Sequence, residues 1–167
     1  MLRPGSLVVL AVVLSGCMYG FVGGGLPSHV RTVAVLPFAN ETTQPLIETE
    51  IVQRLQTELP RNLGVRLAEE QRADAVVRGR VIAYEEVAAS VRPTQDQQQV
   101  PVLQRQVRIT YELEIYDVRE DKPLWRAQAQ AALGNFLPER GETAQQGRDR
   151  AIRELVQKVI EGAQSQW

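Results

Sequence analysis

The chain holds little with which to do covalent chemistry. It has one cysteine and one histidine in 167 residues. A single cysteine excludes an internal disulfide. His29 stands alone beside a glycine-rich stretch, and no grouping of His, Cys and carboxylate has metal-ligand spacing. After Cys17 the serines are Ser28, Ser90 and Ser165, and none sits in a nucleophile-elbow pattern. Glu69-Glu70 and Glu85-Glu86 are acidic neighbours in sequence. Adjacent side chains of a strand point to opposite faces, so Glu85-Glu86 makes a poor catalytic dyad. The expectation is a protein without catalytic residues or a bound metal.

Lysine is also scarce: only Lys122 and Lys158 are present, so the positive charge is nearly all arginine. The formal net charge is −1, and it becomes −2 when Arg3 is removed with the leader described below. A nucleic-acid binder usually carries a basic excess, so that class is set aside. The apolar share of 44% and charged share of 23% are ordinary for one globular domain and argue against global disorder.

What is present begins at the N-terminus. Met1-Leu2-Arg3 is a short positive start, and Leu7 to Leu14 is an apolar run. Its length of roughly eight residues suits an export signal and is too short to span a bilayer. Leu14-Ser15-Gly16-Cys17 follows and resembles the lipobox of bacterial lipoproteins. A thiol is required for the thioether to diacylglycerol, and small residues before it admit the peptidase. Residues 1–16 are therefore read as a lipoprotein signal peptide. Cys17 is read as the lipidation site, carrying N-acyl and S-diacylglycerol chains, and no other cofactor is expected. Met18 follows where an aspartate would resemble an inner-membrane retention signal, so the periplasmic face of the outer membrane is favoured. Residues 17–29, with Gly23-Gly24-Gly25 and Pro27, read as a lipidated flexible tether.

Residues 30–167 read as a single globular domain. Val30 to Phe38 is β-rich and apolar. Thr43 suits an N-cap with Pro45 in the first turn, and Ile47, Ile51, Leu55 and Leu59 mark one face of a helix that Pro60, Asn62 and Gly64 should end. Gly64 to Leu67 suits an edge strand. Three alternating segments follow. Ala75, Val77, Gly79, Val81 and Ala83 oppose Asp74, Arg78, Arg80 and Tyr84. Val107 to Ile115 alternates against Arg108, Thr110, Glu112 and Glu114. Trp125, Ala127, Ala129, Ala131 and Leu133 alternate against Arg126, Gln128 and Gln130. Val118 to Pro123 is the turn of a hairpin. Thr143 and Gln146 fit a capping box before a closing helix whose apolar face is Ala144, Ala151, Ile152, Leu155, Val156, Val159 and Ile160.

The order is β-α-(β)-β-β-β-α. Two helices with single apolar stripes match a sheet with one apolar face. The expected fold is α+β, a two-layer sandwich with both helices on one face of a mixed sheet of four strands, or five if Gly64–Leu67 pairs. The other face carries Arg78, Arg80, Arg108, Glu112 and Arg126. Glu86 to Gln104 is long, polar and glutamine-rich, and such a segment is either a binding loop or disordered.

Several segments resemble the LPS-assembly lipoprotein family (LptE). They are Cys17-Met18-Tyr19-Gly20-Phe21 with the glycines and Leu26-Pro27; Val33-Ala34-Val35-Leu36-Pro37-Phe38-Ala39-Asn40-Glu41-Thr42-Thr43; Ala73-Asp74-Ala75-Val76-Val77-Arg78-Gly79-Arg80-Val81; Val107 to Ile115; Pro123-Leu124-Trp125; and the closing helix. Met18 departs from the glycine common there. The resemblance implies a non-enzymatic partner of the outer-membrane β-barrel that delivers lipopolysaccharide to the cell surface, with membrane attachment through the lipid. It also implies contact with lipopolysaccharide, for which Arg78, Arg80, Arg108 and Arg126 are the candidate residues, since arginine offers a bidentate fork to phosphate. The preferred alternative for these arginines is pairing with Glu112 and Glu114 on a solvated face. A rival function is an envelope lipoprotein that activates a periplasmic enzyme or forms part of a secretion complex.

Cys17→Ala should abolish the thioether and leave an unprocessed or soluble precursor. Labelling cells with a fatty-acid analogue checks this, and a mutant that still takes label and stays with membranes contradicts it.

Overall fold

The computed structural model describes residues 25–88 and 104–165. The signal, Cys17 and residues 89–103 lie outside the described residues. In chain order the elements are β1 (Thr32–Val35), β2 (Ala39–Asn40), α1 (Ile47–Leu63), β3 (Arg66–Leu67), β4 (Ala75–Ala88), β5 (Arg105–Asp117), β6 (Lys122–Phe136) and α2 (Ala144–Ser165). The sheet order is β3-β1-β4-β5-β6, with β2 also paired to β4. Strands β1, β2 and β3 run parallel to their neighbours, and β4-β5-β6 is an antiparallel meander. This is the two-layer α+β arrangement that the hydrophobic pattern requires. The edge strand at Gly64–Leu67 exists as two residues, and β2 is a strand the pattern does not reveal.

Helix α1 buries Ile47, Ile51, Leu55 and Leu59, one residue per turn. Helix α2 buries Gly147, Ala151, Ile152, Leu155, Val156, Val159, Ile160 and Ala163. Both stripes pack on the face formed by Val77, Val81, Val107, Ile109, Tyr111, Leu113 and Ile115. The capping box forms: the Thr143 N–H donates to Gln146 Oε1, and the Gln146 N–H to Thr143 Oγ1. Glycine lets the layers touch. A Cβ at Gly134 would lie 1.8 Å from the Gly147 carbonyl, and one at Gly162 would lie 2.1 Å from the Trp125 indole nitrogen. Likewise Gly79 makes room for the Phe38 ring.

Helix α1 begins later than expected, at Ile47, with Leu46 at its cap in the left-handed region. Asn40 is the reason. Its Oδ1 accepts the Thr42 N–H and hydroxyl, and its Nδ2 donates to Gln44 O and Glu48 Oε2, so residues 40–46 form a turn. Pro60 lies inside the last turn, and the helix runs to Leu63 before Gly64 ends it at φ 67°. Glu86, expected at the start of a loop, belongs to β4, which runs on to Ala88 opposite Arg105.

Two strands change phase. The β4–β5 register skips Ile82, so Tyr84 stands opposite Ile109 on the core face, where the simple alternation puts it on the polar face. The β5–β6 register skips between Tyr111 and Leu113. Ala129 there has φ 46° and is exposed. Beyond this bulge Ala132 and Phe136 are buried in place of Ala131 and Leu133. A bulge adds one residue and inverts every later side chain of its strand.

The outer edge of β6 is capped by α2. Lys158 Nζ donates to Ala131 O at 2.8 Å, the Leu133 N–H donates to Glu154 Oε2 at 3.1 Å, and Arg150 donates to Asn135 O. These three side chains recur every fourth residue of the helix and meet every second residue of the strand. No helix among the described residues is long and apolar enough to cross a membrane.

Leu155 is fully buried. Leu155→Ala should cost about 2–5 kcal/mol in chemical denaturation. Ala129→Gly should instead raise stability by about 0.5–1 kcal/mol, because glycine adopts the left-handed backbone without a Cβ penalty. An unchanged or lowered denaturation midpoint for the glycine variant would contradict the strained bulge.

Candidate functional site

The sheet face away from the helices carries the charged side chains. The register sets Arg78 of β4 opposite Glu114 of β5, and Glu114 opposite Arg126 of β6. One step along, Arg80 stands opposite Glu112. These cross-strand neighbours meet as ion pairs. Arg78 grips Glu114 Oε2 with Nε at 2.8 Å and Nη2 at 2.7 Å, while Arg126 Nε reaches Oε1 at 2.9 Å. Arg80 grips Glu112 Oε2 with Nε at 2.8 Å and Nη2 at 2.7 Å, and its Nη1 reaches Glu41 at 3.2 Å. Arg108 pairs more loosely with Glu85 at 3.8 Å. The Arg78 guanidinium also lies 4.9 Å from the Tyr116 ring centroid.

The structure thus gathers Arg78, Arg80 and Arg126 about one open groove of about 640 Å³ floored by Gly79, Glu112 and Glu114. Arg108 does not line that groove and belongs to a separate pair further along β5. All four arginines have glutamate partners, and about half of each side chain remains exposed. The face therefore presents nearly neutralised charge with outward guanidinium edges. It suits a hydrogen-bonding, charge-alternating partner surface. A phosphate bound there would have to share donors already held by carboxylates.

Glu114 is the buried member, 8% exposed. Burial pushes its carboxyl up, but hydrogen bonds from Arg126 and Arg78 outweigh that, and its pKa is net lowered. Away from this face, in the connection before α2, Glu142 is held down to about 2 by Arg150 and the Leu137 N–H.

Asp117, unremarked in its strand pattern, joins His29 and Asp74 in a second polar grouping where β1 begins and β5 ends. Asp74 Oδ2 accepts the Thr32 hydroxyl at 2.7 Å and the backbone N–H groups of Arg31 and Thr32, which lower its pKa. Asp117 is fully buried. Burial raises its pKa, but the Glu120 N–H, the His29 ring and the Arg119 N–H bring it net below the usual carboxylate range. His29 Nε2 sits 2.6 Å from Asp117 Oδ2. A signal existed: Asp117 continues in phase the buried positions Val107 to Ile115, where a carboxylate must find partners. His29, Asp117 and Glu120 have candidate metal-ligand atoms within 4.8 Å of one another. However, Asp117 takes Nε2 while Glu120 faces Nδ1 at 4.0 Å, so the carboxylates lie at different ring nitrogens and do not converge with one of them on a single ion.

Residues 30–162 match the lipopolysaccharide-assembly family. The chain belongs to the LptE family. That family is a lipoprotein family of lipopolysaccharide assembly. No curated protein matches the chain. Among solved structures it is similar to a PelC L103M dodecamer from Paraburkholderia phytofirmans, at 19% identity and TM-score 0.53, over 84% of this chain and 93% of that one. It is also similar to an uncharacterized lipoprotein B from Nitrosomonas europaea, at 10% identity and TM-score 0.53, over 86% of both chains. The hypothetical protein CT253 from Chlamydia trachomatis aligns at 13% identity and TM-score 0.51, over 80% of this chain and 98% of that one. At these identities the likeness establishes a shared fold between this LptE-family domain and those proteins.

Lowered carboxylate pKa values tie stability to pH. A depressed group stabilises fully above its unfolded value of about 4, and that contribution disappears as pH falls through the folded value. With Asp74, Asp117, Glu114 and Glu142 all lowered, stability should hold from neutrality to about pH 5 and fall between about pH 4 and 2. Urea midpoints measured across that range check it. Glu114→Gln should shrink the acid-dependent loss, because one linked proton is removed.

Proposed function

We propose that this LptE-family protein is an outer-membrane lipoprotein, anchored through Cys17 on the periplasmic face, that binds and helps assemble the β-barrel translocon of lipopolysaccharide and so delivers lipopolysaccharide to the cell surface. Its product is an interaction and not a reaction. The observation that carries this reading is the paired arginine–glutamate face of β4, β5 and β6. The lumen of an outer-membrane barrel is polar while its outside is apolar. A partner lodged in or against such a lumen needs a surface that can hydrogen-bond over its whole area without a large net charge. Arg78–Glu114–Arg126 and Arg80–Glu112 supply that surface. Their exposed guanidinium edges are also the groups suited to lipid A phosphates.

The segment after β4 extends the same hypothesis. Ala88 and Arg105 face each other at the end of β4 and β5, and the polar segment that joins them in sequence is the second proposed contact.

Affinity purification from detergent-solubilised outer membranes tests the proposal. Wild type should recover a large β-barrel. Arg80→Ala with Arg108→Ala should reduce that recovery several-fold while leaving the denaturation midpoint nearly unchanged, since exposed ion pairs contribute little to folding. Deleting residues 89–103 should also weaken recovery more than it weakens folding. A similar fold occurs in a structure described as a PelC dodecamer. Recovery of a self-oligomer or a periplasmic enzyme, with no barrel, would therefore favour the secretion-complex or enzyme-activation reading.

A further inference from the structure

We propose that His29 and Asp117 form a latch that ties the end of the N-terminal arm to the base of the sheet and thereby sets how far the domain can stand from its anchor. The arm is not loose up to β1. Leu26 packs against the core, the Val30 N–H closes a turn on Pro27 O at 2.8 Å, and His29 reaches across to Asp117. Backbone amides and an imidazole hold Asp117. Its Oδ1 accepts the Arg119 and Glu120 N–H groups of the β5–β6 turn at 2.9 and 3.0 Å, and its Oδ2 has the His29 ring. One buried carboxylate therefore holds the last turn of the arm, the end of β5 and the hairpin turn together. Val30 is itself buried and Arg31 and Thr32 are bonded to Asp74, so the part that the imidazole secures, with the Leu26 packing and the Pro27–Val30 turn, is Leu26 to His29.

The consequence follows from chain geometry. At about 3.3–3.6 Å per residue, an arm free only from Cys17 to Leu26 spans at most about 30 Å, and one free to Val30 spans at most about 45 Å. The latch removes roughly a third of the reach. It also holds the end of the arm at the base of the sheet, the end opposite the β4–β5 hairpin tip.

The test is hydrogen–deuterium exchange of the intact lipoprotein in detergent, read by mass spectrometry. His29→Ala should speed exchange of the backbone amides from Leu26 to Val30 by about tenfold or more, the scale of one lost charge-assisted hydrogen bond. Exchange in β5 and α2 should stay as in wild type. His29→Gln keeps a side-chain donor and should exchange more slowly than His29→Ala. Unchanged exchange in His29→Ala overturns the latch. So does a uniform rise across β5 and α2, which would make His29 a general stabilising residue. The reach rests on the anchoring proposed at Cys17 and is read separately. A dye at Val118→Cys, on the exposed β5–β6 turn, should move away from labelled vesicle lipid when His29→Ala is added. If neither protein associates with vesicles, the anchoring reading fails while the exchange result still decides the latch. If both associate at equal distance, the latch does not limit reach and that part is overturned.

Discussion

Strand β5 alternates for its full length, and both neighbours bend to follow it. Val107, Ile109, Tyr111, Leu113, Ile115 and Asp117 all face inward and are buried. With the core fixed on that row, any extra residue in β4 or β6 must be absorbed as a bulge. Ile82 is passed over on one side, and the Gln128–Ala129 region is distorted on the other. The placement of Arg78, Arg80 and Arg126 on one face follows from register with β5. So does the position of Tyr84 under the helices.

The elements set by side-chain period were legible in the sequence. Ile47, Ile51, Leu55 and Leu59 announce α1, and the stripe from Ala151 to Ile160 announces α2, because apolar residues spaced for a helix can be buried only on one side. Thr143 and Gln146 announce their cap because the two side chains answer each other's backbone. The bulges were not legible. Ala127, Ala129, Ala131 and Leu133 alternate without a break, and nothing in those residue types marks where the backbone turns left-handed. The late start of α1 was hidden for another reason: Thr43 is a good cap in isolation, but Asn40 satisfies its own neighbours first.

The candidate site divides in the same way. The charged face could be read because arginines and glutamates alternate with buried residues, and the pairing of Arg78 and Arg126 with Glu114 is a matter of adjacent strands. The Asp117 grouping was harder. Its partners are backbone N–H groups and a histidine 88 positions away in sequence. Sequence spacing carries no trace of a contact between the chain's beginning and a hairpin turn. The two groupings also differ in physics. On the face, charge meets charge at half-exposed sites that salt can screen. At the base, one carboxylate is kept in a dry position by oriented amides and an imidazole, where screening is weak.

The clamp that α2 places on β6 has a consequence for architecture. An open strand edge is a template on which another chain can add itself. Here the carbonyls of Ala131 and Asn135 and the amide of Leu133 are already answered by Lys158, Arg150 and Glu154, and Pro123 cannot donate further down. At the other end of the sheet, β3 is only two residues long. Each edge thus leaves little length on which a further strand can grow. A strand from another chain therefore finds no free backbone partner on β6 between Ala131 and Asn135, and whatever meets the domain there must do so through side chains.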